Sequence, residues 1–242
     1  MPHITRLNAP WFLRLSKKEY KWTVKPIPGP HPLSRSIPLG ILLRDYLGIA
    51  SNLRESKKII SDGLVMVDGR VRRDYKYPVG LMDVITIPSA SLYYRVVPDR
   101  VRLLKVVKIS SEEAGYKLVR LTGKTVVKGS ALQLNFEDGR NILLKDKQEA
   151  SQFNMPTLTT FKIAIPSQQI LGTYQLKEGV YVMAIGGKNA GVIGTLKRIQ
   201  WANYKKKRHT IVVIRGEDGT EYETNLENSM VVGEERPEVR VV

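Results

Sequence analysis

Apolar residues first recur with helical spacing near residue 40. Leu39, Leu42, Leu43, Tyr46 and Leu47 fall at i, i+3, i+4, i+7 and i+8, one face of an amphipathic helix. Pro38 suits its first turn and Gly48 its end. A second helix is predicted over residues 52–63. Asn52 suits its N-cap, Glu55 completes a capping box, and Gly63 suits the position just past the last turn. At about 100° per residue, Leu53, Ser56, Ile59 and Ile60 share one side of this helix, and Arg54, Lys57, Lys58 and Ser61 share the other. The period then switches to alternation. Residues 64–73, LVMVDGRVRR, are two short β-rich runs around Asp68-Gly69, a dipeptide that accepts the positive φ of a tight hairpin. Arg70, Arg72 and Arg73 leave that turn. Residues 77–87, YPVGLMDVITI, close the stretch with a turn and a β-branched strand.

Alternation dominates the rest of the chain. Residues 100–109, 116–123 and 124–136 are strand-like. Leu132, Leu134 and Phe136 alternate before Asp138-Gly139, which predicts a hairpin running into residues 141–144. Met155-Pro156 and Ile165-Pro166 interrupt the pattern. Residues 178–199 form two strand-like runs around a loop in which Gly186, Gly187, Gly191 and Gly194 open backbone conformations closed to other residues. Further strands turn at Asp218-Gly219 and return with Thr220, Tyr222 and Thr224 alternating. Short strands with turn signals at this spacing predict a small barrel. Between them, residues 204–209 (YKKKRH) place Lys205, Lys206, Lys207 and Arg208 in succession on a loop.

Residues 1–36 follow neither period. Six of the thirteen prolines lie there, which leaves regular helix or sheet poorly supported. Trp11, Phe12 and Trp22 interleave with Arg6, Arg14, Lys17, Lys18, Lys21, Lys25 and Arg35. Such a segment can lay cations on phosphates and rings on bases, or it can be a tail whose aromatics dock on its own domains; the pattern does not choose. The fold class expected is α+β, predominantly β. Its parts are an N-terminal extension (1–36), a two-helix and hairpin domain (37–100), a central β domain (101–173), and a terminal barrel with an acidic tail (174–242).

Charge changes this picture from architecture to partner. The 242 residues carry a formal net charge of +16 and a pI near 9.9. Such an excess repels itself and calls for a polyanion, nucleic acid first and an anionic membrane second. The excess peaks at +6 over residues 1–36 and +7 over residues 175–214, and reverses to −5 over residues 215–242. That distribution suits several grips on one long polyanion better than a single pocket. No apolar run reaches the length of a membrane span and no secretory h-region opens the chain, so a soluble intracellular protein is expected. The absence of cysteine excludes disulfides and thiolate metal sites.

Catalytic patterns fail one by one. GGKNAG lacks the P-loop's earlier glycine and following Ser or Thr, since Val182 and Asn189 occupy those places. Gly123-Lys124-Thr125 fails because Leu118 stands where glycine is required. His3, His31 and His209 have no metal-binding spacing, and no GxSxG elbow occurs. An enzyme, a cofactor and a small-molecule substrate are therefore not expected.

The motifs resemble, in order and over nearly the whole chain, the S4e family of archaeal and eukaryotic small-subunit ribosomal proteins. The strings are HITRLNAPW (3–11), GPHPLSRSIPLGILLRDYL (29–47), DGRVRRD (68–74), YPVGLMDVITI (77–87) and GGKNAGVIG (186–194), the last resembling a KOW motif. The resemblance implies an extension, an S4-like RNA-binding domain, a central β domain and a KOW-type, SH3-like barrel. It implies a structural constituent of the small subunit in the cytoplasm, with small-subunit ribosomal RNA and neighbouring ribosomal proteins as partners and no membrane. The S4-like surface would be Arg54, Lys57 and Lys58 with Arg70, Arg72 and Arg73. The KOW hairpin would present Lys188 and Asn189 with Gly191 holding its turn, and Lys197, Arg198 and residues 205–208 would extend the RNA surface. The extension would order only on the RNA. A chain ending at Val242 without a basic C-terminal extension points to an archaeal member. Two other classes remain open: a KOW-bearing transcription or translation factor, and an RNA-modifying enzyme with an S4-like module.

Overall fold

The computed structural model describes residues 3–127, 131–145, 151, 153, 155–204 and 206–240. The fold is predominantly β with few helices. The chain forms two compact units: Met1–Val97 with Leu104–Lys117, and Pro98–Leu103 with Leu118–Val242.

In the first unit, a five-stranded sheet has the order Arg70–Val71, Met66–Val67, Val84–Ile87, Leu92–Asp99, Leu103–Lys108. Asp68 and Gly69 turn its first hairpin with φ of 50° and 70°, the left-handed values that the dipeptide tolerates. The helix Leu53–Ser61 starts at Asn52, whose side chain accepts from the Glu55 N–H at 2.9 Å, while the Glu55 carboxylate accepts from the Ser51 N–H. Its inner face buries Ser56 and Ile60. Leu39, Ile41, Leu42 and Leu43 are buried on the helical stretch that packs beside it.

That stretch differs from a single regular helix. Leu39–Ile41 is α-helical, but Leu42–Tyr46 widens, so that the Leu47 N–H reaches the Leu42 carbonyl, five residues back. Pro38 lies outside the helix. It is extended and pairs with Pro78 in a two-residue ladder, Ile37–Pro38 against Pro78–Val79. A proline that cannot donate to a ladder is tolerated at such an edge.

The N-terminal segment packs through short elements. His3–Thr5 pairs with Trp22–Val24, and Phe12, Leu13 and Val24 are buried. Prolines prevent long elements here, but the intervening side chains still dock. The Tyr46 hydroxyl donates to the Phe12 carbonyl at 3.4 Å.

A buried polar network ties this segment to the sheet. His31 Nε2 lies 3.0 Å from the Asp83 carboxylate, and Lys117 Nζ lies 2.5 Å from Asp83 and 2.9 Å from Asp68. The Gly80 and Val84 N–H groups donate to Asp83 and Asp68. Burial pushes the Asp83 carboxyl up, but the charges and hydrogen bonds of His31 and Lys117 outweigh it and hold the group well below the usual carboxylate range. Gly80 has to be glycine, because a Cβ there would fall within the His31 ring. Arg95 is also buried; its guanidinium donates to the Glu113 and Tyr116 carbonyls at 2.7 Å, and burial lowers its pKa.

In the second unit, one five-stranded sheet has the order Asn141–Leu144, Ala131–Phe136, Tyr116–Val127, Thr160–Ala164, Ile170–Tyr174. Its core is Val119, Leu121, Leu134, Phe136, Leu144, Phe161 and Ile163. The other sheet has the order Glu221–Asn225, Ile211–Gly216, Ile193–Gln200, Tyr181–Ala184, Ser229–Gly233. Val182, Ala184, Leu196, Val212, Ile214, Leu226 and Val231 fill its core. Arg120 links the sheets: one nitrogen donates to the Glu227 and Ser229 carbonyls at 2.7 and 2.8 Å, while Nε donates to Glu137.

Candidate nucleic-acid interface

The basic face of helix Leu53–Ser61 exists because its other face is apolar and buried. Arg54, Lys57 and Lys58 are all exposed on it. The hairpin exit is placed beside the helix by the Arg72 N–H, which donates to the Val65 carbonyl at 3.1 Å. The Arg73 guanidinium lies against Gly63, at the end of the helix. Arg70 and Arg73 are exposed, while Arg72 is half-buried with its guanidinium 4.3 Å from the centre of the Tyr77 ring. Burial and the Asp83 charge raise the Tyr77 pKa, so its hydroxyl stays neutral near pH 7. Lys57 stays exposed, with its Nζ 4.3 Å from the centre of the Tyr75 ring. Helix and hairpin exit therefore converge on one basic surface.

The segment before residue 36 supplies exposed Arg14, Lys17, Lys18, Lys21, Lys25 and Arg35, with Lys21 Nζ 5.3 Å from the Trp22 ring centre. Trp11, Tyr20 and Trp22 are exposed beside them. Arg6 is a correction. It is buried, donates to the Ser16 carbonyl at 2.5 Å and stacks 5.0 Å from the Tyr20 ring, so it staples its own segment instead of facing outward.

In the second unit, Lys188 is exposed at the tip of the glycine loop. Asn189 is turned inward enough to donate to the Glu223 carbonyl at 2.8 Å. Gly191 has φ +86°, and a Cβ there would lie 3.0 Å from the Pro98 carbonyl oxygen, so both conformation and space require glycine. Lys197 pairs with Glu221, whose carboxyl is held down by that bond. Arg198 is exposed. The YKKKRH stretch, expected as loop, contains a short helix, Lys206–His209, on which Arg208 is exposed; Lys205 lies outside the described residues.

Sequence reasoning passed over Lys76, Tyr75 and Tyr77, although the alternating string DYKY marked them. It also missed Trp201 and Tyr204, exposed at the strand end before the short helix. Among the described residues no group of three His, Asp or Glu side chains could hold a metal ion. No helix among them is long and apolar enough to cross a membrane.

Comparison with known proteins places these features in context. The ribosomal family S4e matches residues 90–170, the S4 domain residues 41–85, and the RS4NT (NUC023) domain residues 2–34. The chain is 71% identical over 241 residues, the full length of both, to small ribosomal subunit protein eS4 of Metallosphaera sedula. It is 56% identical to the protein of that name in Sulfurisphaera tokodaii, covering 97% of this chain and 96% of the relative. The Saccharolobus islandicus protein is 53% identical over the full length of both. Among solved structures, the 30S ribosomal protein S4e from Thermoplasma acidophilum is similar with a TM-score of 0.67 and 27% identity, covering 82% of this chain and 95% of that one.

Proposed function

The chain belongs to the S4e family of ribosomal proteins, and from that premise we propose how its surface serves a non-catalytic constituent of the small ribosomal subunit. It binds ribosomal RNA and adjoins other ribosomal proteins, on ribosomes in the cytoplasm. The observation that carries this reading is the convergence of Arg54, Lys57 and Lys58 with Arg70, Arg72 and Arg73 on one face, within the region matched by the S4 domain. Lysine and arginine at phosphates release counterions, which supplies affinity and makes it salt-dependent. Selectivity comes from several modules fitting one folded RNA, since folded RNA is read through shape, loops and 2′-hydroxyls.

The four-part division is part of this proposal. Residues 1–36 and 37–100 form the extension and an S4-like two-helix and hairpin domain, and residues 101–173 form a central β domain that acts as a basic spacer. Residues 174–242 form a KOW-type, SH3-like barrel. What supports the barrel is the sequence of five antiparallel strands around a loop whose Gly187 and Gly191 have positive φ. On this reading Lys188, Arg198 and Arg208 touch RNA phosphates, as do the exposed cations of the extension. Lys197 joins them by exchanging Glu221 for a phosphate.

The test replaces Arg54, Lys57 and Lys58 together by alanine and measures affinity for transcribed small-subunit ribosomal RNA across a salt series. Affinity falls and the slope of log K against log salt flattens by about two to three units. An unchanged slope removes the helix from the interface. Retention of the wild-type chain on small subunits after a high-salt wash separates a permanent component from a transient factor.

A further inference from the structure

We infer that Tyr75 is a positioning residue that holds the ammonium groups of Lys57 and Lys76 at its ring for contact with RNA backbone phosphates. The inference rests on the RNA-binding reading above and assigns chemistry to one part of that surface. Lys57 Nζ lies 4.3 Å and Lys76 Nζ 5.3 Å from the centre of the same ring. The two lysines come from different elements, one from the helix and one from the loop that carries the ring. Their approach to a common ring is therefore a product of the fold.

The loop that carries the ring is fixed through its backbone. The Gly40 N–H donates to the Tyr75 carbonyl at 2.8 Å, the Leu39 N–H to the Tyr77 carbonyl at 2.9 Å, and the Ile27 N–H to the Lys76 carbonyl at 3.1 Å. Asp74 closes the turn by accepting from the Lys76 N–H at 2.8 Å. Gly40 permits the contact, because a Cβ there would already lie 3.2 Å from Tyr75 Cβ. The loop is thus bonded on one side to the first helical stretch and on the other to the segment at residue 27.

What the ring does electrically matters as much as where it sits. A carboxylate would orient a lysine and cancel its charge, as Glu221 does for Lys197. An aromatic face attracts an ammonium and leaves the full positive charge available. Among the described residues neither Lys57 nor Lys76 forms an ion pair with a carboxylate. Two flexible side chains of like sign, one from the helix and one from the loop, thus approach one ring with no carboxylate paired to either ammonium. Each ammonium keeps its charge for a phosphate, while the ring limits the freedom that its side chain loses on binding.

The test is a double-mutant cycle on the full chain, read as affinity for small-subunit ribosomal RNA. Tyr75→Leu lowers affinity by about two- to fivefold, the size of exposed cation–π contacts, with an unchanged melting temperature. In a Lys57→Ala, Lys76→Ala background the same substitution changes affinity by less than about 1.5-fold, because coupled residues are not additive. If Tyr75→Leu perturbs folding, a fluorinated phenylalanine at position 75 keeps the ring's shape, removes its negative face and gives the same loss. A loss of equal size in both backgrounds overturns the role of Tyr75 while leaving the functional reading intact. A wild-type chain that binds no ribosomal RNA overturns both.

Discussion

A lysine ammonium only 1% exposed has to be met by charge, and Lys117 is met twice, by Asp68 and Asp83. Replacing it with methionine leaves two buried carboxylates facing each other, and we expect a loss of about 3–5 kcal/mol, as for other broken buried pairs. The same network sets the acid response. The Asp83 carboxyl titrates lower in the fold than its ordinary value near 3.8, so its contribution is complete above about pH 4 and drains away as pH falls below that. Urea midpoints measured from pH 7 to pH 3 should fall on the acid side for the wild type and flatten for Lys117→Met. A flat wild-type profile contradicts this account. None of it was visible in sequence, where Lys117 is one polar position in an alternating run. Its partners stand 49 and 34 residues earlier, at Asp68 and Asp83, and only the fold brings them in.

Elements governed by local chemistry were legible, and those governed by docking were not. The helix Leu53–Ser61 declares itself through Asn52 and Glu55, which cap it as their spacing requires. Asn52→Ala should destabilise the first unit by about 1 kcal/mol, seen as a lower urea midpoint with an unchanged slope. No shift would mean that the cap is replaced by water without cost. The turns at Asp68-Gly69, Asp138-Gly139 and Asp218-Gly219 were equally plain, because each needs a positive φ that its glycine supplies. The stretch 39–46 was not, because its apolar spacing fits both regular and widened turns, and tertiary packing decides between them. The extension stayed open to two readings for a related reason. Prolines signal the absence of long elements, yet Phe12, Leu13 and Val24 are still buried by short ones. Of the candidate site, the cations were legible as residue types; the rings of Tyr75 and Tyr77 beneath them were not, since which cation meets which ring depends on the loop's path.

At the scale of the molecule, the +16 charge is a standing cost in the absence of RNA. Screening should relieve it, so the melting temperature of the free chain is expected to rise between about 0.05 and 0.5 M sodium chloride, where the Debye length shrinks from about 14 to about 4 Å. RNA binding should weaken over the same range. A melting temperature that falls with salt would show that surface ion pairs outweigh the net repulsion. Family membership and the charge imbalance thus agree on a chain built for a polyanionic surrounding.

The first unit is discontinuous in sequence, drawing on Leu104–Lys117 as well as Met1–Val97. During synthesis, residues 1–97 leave the tunnel with His31 available to Asp83, but the Lys117 ammonium that Asp68 and Asp83 share is still unmade. Until residue 117 has emerged, Asp68 lacks the Lys117 ammonium and Asp83 has only the His31 ring of its two side-chain partners, and closure of the hydrophobic layer around them is opposed by their desolvation. The order of translation therefore imposes a checkpoint: the module that grips RNA locks only after the chain has committed to the strand leading into the second unit.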